Sequence, residues 1–416
     1  MRVAITGMGC ISPLGVTVDE FSAGLLAGQV GIRRAPWLAD DDPAEQLYGT
    51  VHDRFDPRQW MDDKVIAGTD GFAQMALGAC AEALAQAGLA DDLDPLRTGV
   101  VGGSQMGGSH SLALAQSVYE TQGVDAVDPK VVIKMYPNMA ASQICMRYGL
   151  HGPSLTVATT CATSLDALGL AAGLVASGAV DVAISGGFDG MYPRDTNYVP
   201  ATAMIGVRYG MDTTTTDPRR AMLPFDVDRA GIVGAEGAAC FVLESEDHAR
   251  ARGAEVLALV RGYGSLADAY HPSSPDPSGQ WERRAMELAQ AGAGVAPGDV
   301  DVLVAHATGT PKGDDAEIKA INDLFVDDGR RSDLVVGAIK GNTGHTGSAA
   351  GAMAVVAGIR AMGDGRLPHV AGTTNLDPAV RFDVVLHEPR TVDIDVLQVN
   401  AFGFGGQNAS VVLTRS

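Results

Sequence analysis

The residues best placed to do chemistry are one cysteine and two histidines, each set among small residues. Cys161 stands in Thr159-Thr160-Cys161-Ala162-Thr163-Ser164. The run before it, Ser154-Leu155-Thr156-Val157-Ala158, is β-branched and apolar and reads as a buried strand. The run after it, Leu165 to Ser177, has Leu165, Leu168, Ala172 and Val175 at helical spacing, with Gly178 as a stop. A thiol where a strand ends and a helix begins meets free backbone N–H groups and the positive end of the helix dipole, which favour thiolate. The alternative is a small buried core cysteine. His306 lies in His306-Ala307-Thr308-Gly309-Thr310, and His345 in Lys340-Gly341-Asn342-Thr343-Gly344-His345-Thr346-Gly347. Glycines around a histidine let backbone or substrate come close. Taken singly, each histidine reads as structural or exposed, and each Gly-rich stretch as a turn. Together with the cysteine they fall at strand ends, where α/β proteins build their sites.

The elements that must position them alternate between strand and helix. Residues 2–8 read as a strand leading into a loop with Gly7 and Gly9. Thr69 to Gly88 reads as a helix with Phe72, Met75, Ala76, Ala79, Ala83 and Leu84 on its apolar face. Thr98 to Gly102 is a short strand opening into a Gly-flanked loop that holds Met106, and Ala179 to Ile184 is another strand. After Arg252-Gly253 the pattern restarts. Strands are expected at 256–260, 300–305 and 334–339, and helices at 283–291, 315–325 and 347–362. Two final strands flank a third Gly-rich turn, Phe402-Gly403-Phe404-Gly405-Gly406. Such alternation implies a parallel or mixed sheet covered on both faces. The strand–loop–helix around Cys161 echoes that around His345, so the chain reads as a duplicated α/β unit: residues 1–252 with the cysteine, 253–416 with the histidines. Residues 31–63, acidic and interrupted by proline, read as a surface excursion. Gly7-x-Gly9 is not a dinucleotide fingerprint, because the third glycine and the later ribose-binding acid do not fall into place.

Bulk properties narrow the function classes. A net charge of −20 argues against nucleic-acid binding, which needs a basic face. The five cysteines are an odd number with no CxxC spacing, which suggests neither a disulfide framework nor a metal site. A reducing cytoplasm fits that usage. The N-terminus runs directly into a strand, and no apolar run reaches spanning length, so neither export nor a membrane is expected.

The ordered set Cys161, His306, Lys340, His345, Phe404, with matching stretches from Val3-Ala4-Ile5-Thr6-Gly7-Met8-Gly9 to Asn400-Ala401-Phe402-Gly403-Phe404-Gly405-Gly406, resembles the elongating β-ketoacyl-[acyl-carrier-protein] synthases. That family includes the type II polyketide ketosynthases and lies within the thiolase superfamily. The resemblance implies a thiolase-like duplicated αβαβα layered fold and a dimer, either of two copies or with a chain-length-factor-like paralogue. It implies decarboxylative Claisen condensation of an acyl chain carried on Cys161 with malonyl-carrier protein, in polyketide or fatty acid synthesis. No cofactor of its own is implied, since the acyl carrier protein supplies the phosphopantetheine arm.

The resemblance also implies roles. Cys161 is the nucleophile. His306 and His345 hold the charge that develops on the thioester oxygen, and Lys340 orients and biases the site. The backbone N–H groups of Cys161 and Phe404 form the oxyanion hole. Phe404 is the gate and Phe402 its neighbour on the wall; otherwise both are packed aromatics. Thr308 and Thr310 bind the pantetheine amide or are turn residues. Met106 lines the acyl pocket or belongs to the core. Glu317 is a structural partner paired with Lys340, or a solvated helix carboxylate. The basic cluster expected for carrier docking is thin, leaving Lys64 and, elsewhere, Arg208, Arg219 and Arg220 as candidates.

Rival readings fail on single positions. A thiolase acting on acyl-CoA needs a second cysteine in the C-terminal Gly-rich turn, and none follows Cys240. The initiating synthases carry asparagine where His345 stands. A non-catalytic chain-length subunit lacks the nucleophile, which is present here.

Overall fold

Strand β1, Val3–Ile11, is buried along its whole length. In the computed structural model, which describes residues 2–35, 37–38, 46–190, 213, 215–328 and 333–416, it lies near the middle of an eleven-stranded mixed sheet. The other strands are β2 (Thr98–Gly103), β3 (Ser154–Val157), β4 (Val182–Asp189), β5 (Gly237–Ser245), β6 (Ala258–Ala267), β7 (Val302–Val304), β8 (Val335–Gly337), β9 (Asp383–Val384), β10 (Val396–Gly403) and β11 (Gln407–Thr414). The order is β9-β8-β7-β10-β11-β6-β1-β5-β4-β2-β3. Reading outward from the centre, β1 to β5 run first, fifth, fourth, second, third. Strands β6, β7, β8, β10 and β11 repeat that order, with β9 added at the edge. The two runs meet where Val3, Ala4 and Ile5 pair antiparallel with Val260, Leu259 and Ala258. The expected division at 252/253 lies between the helix Glu246–Ala251 and β6.

Helix α1 (Gly71–Ala87) covers the outer face of β1, β5 and β4. The Asp70 side chain caps its start and Gly88, at φ +67°, ends it. Its expected apolar face is buried throughout. Gly7 and Gly9 lie inside β1, not in a loop after it. A Cβ on either would come within 2.0 Å of the carbonyl oxygens of Ala83 and Ala79, so these glycines let α1 lie directly on the strand.

Helices α2 (Thr163–Ala176) and α5 (Ala350–Asp364) pack on each other and touch strands of both halves. They form the middle layer, which is why α5 is apolar almost all round. Helices α3 (Gln280–Ala293) and α4 (Pro311–Ile321) pack together, and α3 covers β6 and β11 from outside. Five layers, αβαβα, result. One expectation needs correction. The described part of residues 31–63 is more than a surface excursion: Ile32–Arg34 pairs with Leu47–Gly49, and Tyr48, Val51 and Phe55 are buried. Among the described residues, no helix is long and apolar enough to cross a membrane.

Candidate active site

Strand β3 leads into a single 3-10 turn, Thr160–Ala162, that runs straight into α2. Thr160 has φ +50°. A β-branched residue adopts that left-handed conformation at a cost of about 1–3 kcal/mol, so the surroundings must hold it. The Thr159 N–H donates to Oγ1 of Thr163 (2.9 Å), and the Thr160 hydroxyl donates to the carbonyl of Phe404 (3.0 Å). Close approach is possible there because residue 403 is glycine; a Cβ would sit 2.2 Å from Thr160 Oγ1.

The C-terminal half brings two imidazoles to the sulfur. Cys161 Sγ and one ring nitrogen from each of His306 and His345 lie within 4.8 Å of one another. The two rings meet edge to face, 5.5 Å between centroids. His345 Nδ1 accepts the Gly347 N–H (3.1 Å), so its proton is on Nε2, which has no partner among the described residues. Lys340 Nζ donates to the His306 carbonyl and to His306 Nδ1 (3.2 Å), which likewise places the His306 proton on Nε2. Both rings therefore offer N–H donors. Cysteine and histidine are metal-ligand types, but a metal here would have to displace a proton from each facing nitrogen.

Burial sets the charge states. It pushes the Cys161 thiol up to about 11; Asp189 adds to this, while Lys340 and hydrogen bonds from the backbone of Phe404 and of Cys161 itself oppose it. The expected thiolate at the helix end is thus outweighed by desolvation. Burial and then Lys340 lower His345 to about 3 and hold His306 well below the ordinary imidazole range. Burial also lowers Lys340 to about 8, against the pull of Glu317 and Cys161. At neutral pH the site holds a thiol, two neutral imidazoles and an ammonium.

A cavity of about 370 Å³ opens on this group. Its walls include Cys161, His306, His345, Thr308, Thr310, Phe402, Phe404 and Glu317. Residues 1–249 match the family described as "Beta-ketoacyl synthase, N-terminal domain", and residues 257–374 match "Beta-ketoacyl synthase, C-terminal domain". The chain belongs to the β-ketoacyl synthase family. The 3-oxoacyl-[acyl-carrier-protein] synthase 2 of Coxiella burnetii is 34% identical over 415 residues, covering 100% of this chain and 98% of the relative. The Rhizobium meliloti protein of the same name is 35% identical, covering 100% and 99%. Among solved structures, the ishigamide ketosynthase/chain length factor superposes with a TM-score of 0.91 at 31% identity, covering 100% of this chain and 99% of that one.

Within this β-ketoacyl synthase fold, the expected residues are not all where the sequence put them. Lys340 stands behind His306 and is absent from the cavity wall. Glu317 is buried, not solvated, and its carboxylate accepts the backbone N–H groups of His306 (2.8 Å) and Ala307 (2.6 Å). It forms no hydrogen bond with Lys340 among the described residues, but the two charges attract each other and both groups bond the His306 backbone. Ala307 needs those bonds, since its φ is +40°. Thr308 and Thr310 share a hydrogen bond at 2.9 Å, and Thr310 also caps α4, with Pro311 at its first position. Phe402 is buried, 5.9 Å from the His306 ring, whereas Phe404 is 40% exposed.

Met106 does not line this cavity. Its loop is tied down by Asp189, which accepts from the Ser104 hydroxyl (2.8 Å) and the Ser348 N–H (2.6 Å). Lys64 is exposed on the short helix Asp63–Gly68, and Arg208 lies outside the described residues. Two features were not assigned to the site from sequence. Glu282 lines the cavity, and burial and the neighbouring Glu317 hold its carboxyl well above the usual range. The stretch Pro224-Phe225-Asp226-x-x-Arg229-x-Gly231 clamps the histidine loop. Phe225 N–H donates to Asp314 (2.7 Å), and Gly231 N–H to the Gly309 carbonyl (3.1 Å).

Proposed function

We propose that this chain condenses an acyl group with malonyl-carrier protein to give β-ketoacyl-carrier protein. The observation that carries the reading is the convergence of one thiol and two imidazole N–H donors on one cavity. In the first stage Cys161 sulfur attacks the thioester carbonyl of acyl-carrier protein. The oxyanion faces the N–H groups of Cys161 and Phe404, and the carrier thiol departs with the proton that Cys161 gives up. In the second stage malonyl-carrier protein enters past Phe404. Its C–C bond to the carboxylate breaks, CO₂ leaves, and the electron pair moves to the enolate whose oxygen the Nε2–H groups of His306 and His345 bind. Each such donor is worth about 3 kcal/mol or more. The enolate carbon attacks the Cys161 thioester, and the thiolate expelled sits in the field of Lys340 and then takes a proton from water.

Thr308 and Thr310 are the hydroxyls available to the pantetheine arm, which belongs to the substrate. Lys64, with Arg219 and Arg220, would meet the acidic carrier. A second thiolase-like chain, a copy of this one or a paralogue lacking the cysteine, would cover the β3 edge. There Ser154 and Leu155 are exposed, as are Leu112, Tyr119, Val132 and Ile133 on preceding segments.

The test is intact mass after incubation with acyl-carrier protein, then product analysis after adding malonyl-carrier protein. The wild type gains the acyl mass and elongates it, and Cys161→Ala gains none. Acyl mass on Cys161→Ala would refute the assignment. Light scattering on the chain purified alone distinguishes a self-pairing dimer from one that needs a paralogue.

A further inference from the structure

The elbow that aims Cys161 is held by a contact from the other half of the chain. Asp166, buried in the first turn of α2, accepts the Thr159 hydroxyl on Oδ2 and the Tyr263 hydroxyl on Oδ1 (2.7 Å). Tyr263 is on β6, the first strand of the C-terminal half. Its ring lies against α2 at Gly169, where a Cβ would come within 2.5 Å of three ring carbons. A glycine in mid-helix is ordinarily unfavourable; here it makes room for the ring that reaches the carboxylate.

We infer that Tyr263 and Asp166 are a positioning pair that fixes the strained Thr159–Thr160 elbow, and with it Cys161, relative to the histidines. This rests on the proposed acyl transfer at Cys161. His306, Lys340 and His345 all belong to the half that carries Tyr263. A second link from the elbow to that half, Thr160 to the Phe404 carbonyl, ends on the glycine-flanked turn of a half-exposed residue. When that turn moves to admit the second substrate, the Thr160 bond goes with it. Among the described residues the Tyr263–Asp166–Thr159 chain makes no side-chain hydrogen bond to that turn, so it keeps the sulfur in place while the gate moves. Both carboxylate oxygens are occupied by hydroxyl donors.

Tyr263→Phe removes one hydroxyl and keeps the ring on Gly169, so it tests the bond without opening a hole. The two half-reactions are measured separately: acylation of Cys161 from acyl-carrier protein by intact mass, and CO₂ release from malonyl-carrier protein, which needs the histidines and not the thiol. Acylation is expected to slow about tenfold with the acyl donor's KM unchanged, since small misplacements of a reacting atom cost rate. CO₂ release should stay within about twofold, because the donors it uses are untouched. Asp166→Asn, which keeps the shape but weakens both bonds, should slow acylation further. Loss of both half-reactions together, or of neither, overturns the pair as a positioning device. A wild type that neither acylates nor decarboxylates would instead refute the underlying function.

Discussion

Cys161 and His345 occupy equivalent places in two copies of one fold unit. Each follows the third strand of its half, β3 or β8, and each precedes a central helix, α2 or α5. The scaffold is shared, yet the chemistry around the two is opposite. The cysteine is backed by carboxylates: Asp166 beneath its elbow and Asp189 near its sulfur. The histidine has a lysine in its own loop, Lys340, and a backbone N–H on its inner nitrogen. Desolvation, with Asp189 adding to it, keeps a proton on sulfur in one half until a leaving group takes it. The other keeps imidazoles neutral and pointing a proton outward. Backbone geometry put the groups within reach, desolvation set their charge states, and the polar neighbours adjusted them.

The largest effects should come from removing the outward N–H groups. His345→Ala and His306→Ala should each lower malonyl decarboxylation by about 10²–10³, the loss typical of one preorganised donor. Acyl loading on Cys161 should survive in both. Equal loss of loading in either variant would break the division of labour between the halves.

The pH profile sharpens the same contrast. Lys340 is lowered to about 8 by burial, so raising pH through that value removes its proton and its bonds to His306. Decarboxylation should fall above pH about 8 for that reason. Alkylation of Cys161 by iodoacetamide should keep rising towards pH about 11, where the desolvated thiol ionises. A plateau in alkylation near neutral pH would show the helix end prevailing over desolvation. Lys340→Ala should lower decarboxylation about tenfold and flatten its alkaline limb, because the lysine acts through His306 rather than on substrate.

Much of this was legible in the sequence. The apolar positions Leu165, Leu168, Ala172 and Val175 mark the buried face of α2, and all four are buried. The site loops fall at strand ends as their glycines suggested. Other features were illegible for identifiable reasons. Glu317 looks like any helix carboxylate until α4 is placed beneath the His306 loop. Its partners are backbone N–H groups, which leave no mark on side-chain spacing. The helices Ser109–Gln122 and Met139–Tyr148 show no clear buried stripe in the sequence, because much of the apolar surface here, including Leu112, Tyr119 and Met146, is exposed in the single chain. Gly7 and Gly9 read as a loop because a strand that admits a helix so closely looks turn-like in composition. Desolvation of the Cys161 sulfur depends on segments far along the chain, which local motif chemistry does not contain.

The smallest expected effect isolates docking of the central helices from aiming of the nucleophile. Ser164, three residues after Cys161, accepts the Ala352 N–H of α5 at 2.8 Å. Ser164→Ala leaves that buried N–H without its acceptor, a loss of about 1–2 kcal/mol. In a chain of this size that lowers the melting temperature by only about 1–3 °C. Because Ser164 touches neither Thr159 nor the imidazoles through a hydrogen bond, both half-reactions should stay near wild type. If Ser164→Ala instead slows acylation as much as Tyr263→Phe, then any loosening between the halves misaims the sulfur. The aspartate–tyrosine contact would then be one of several equivalent ties, and the asymmetry between the cysteine and histidine sides would belong to the whole interface between α2 and α5.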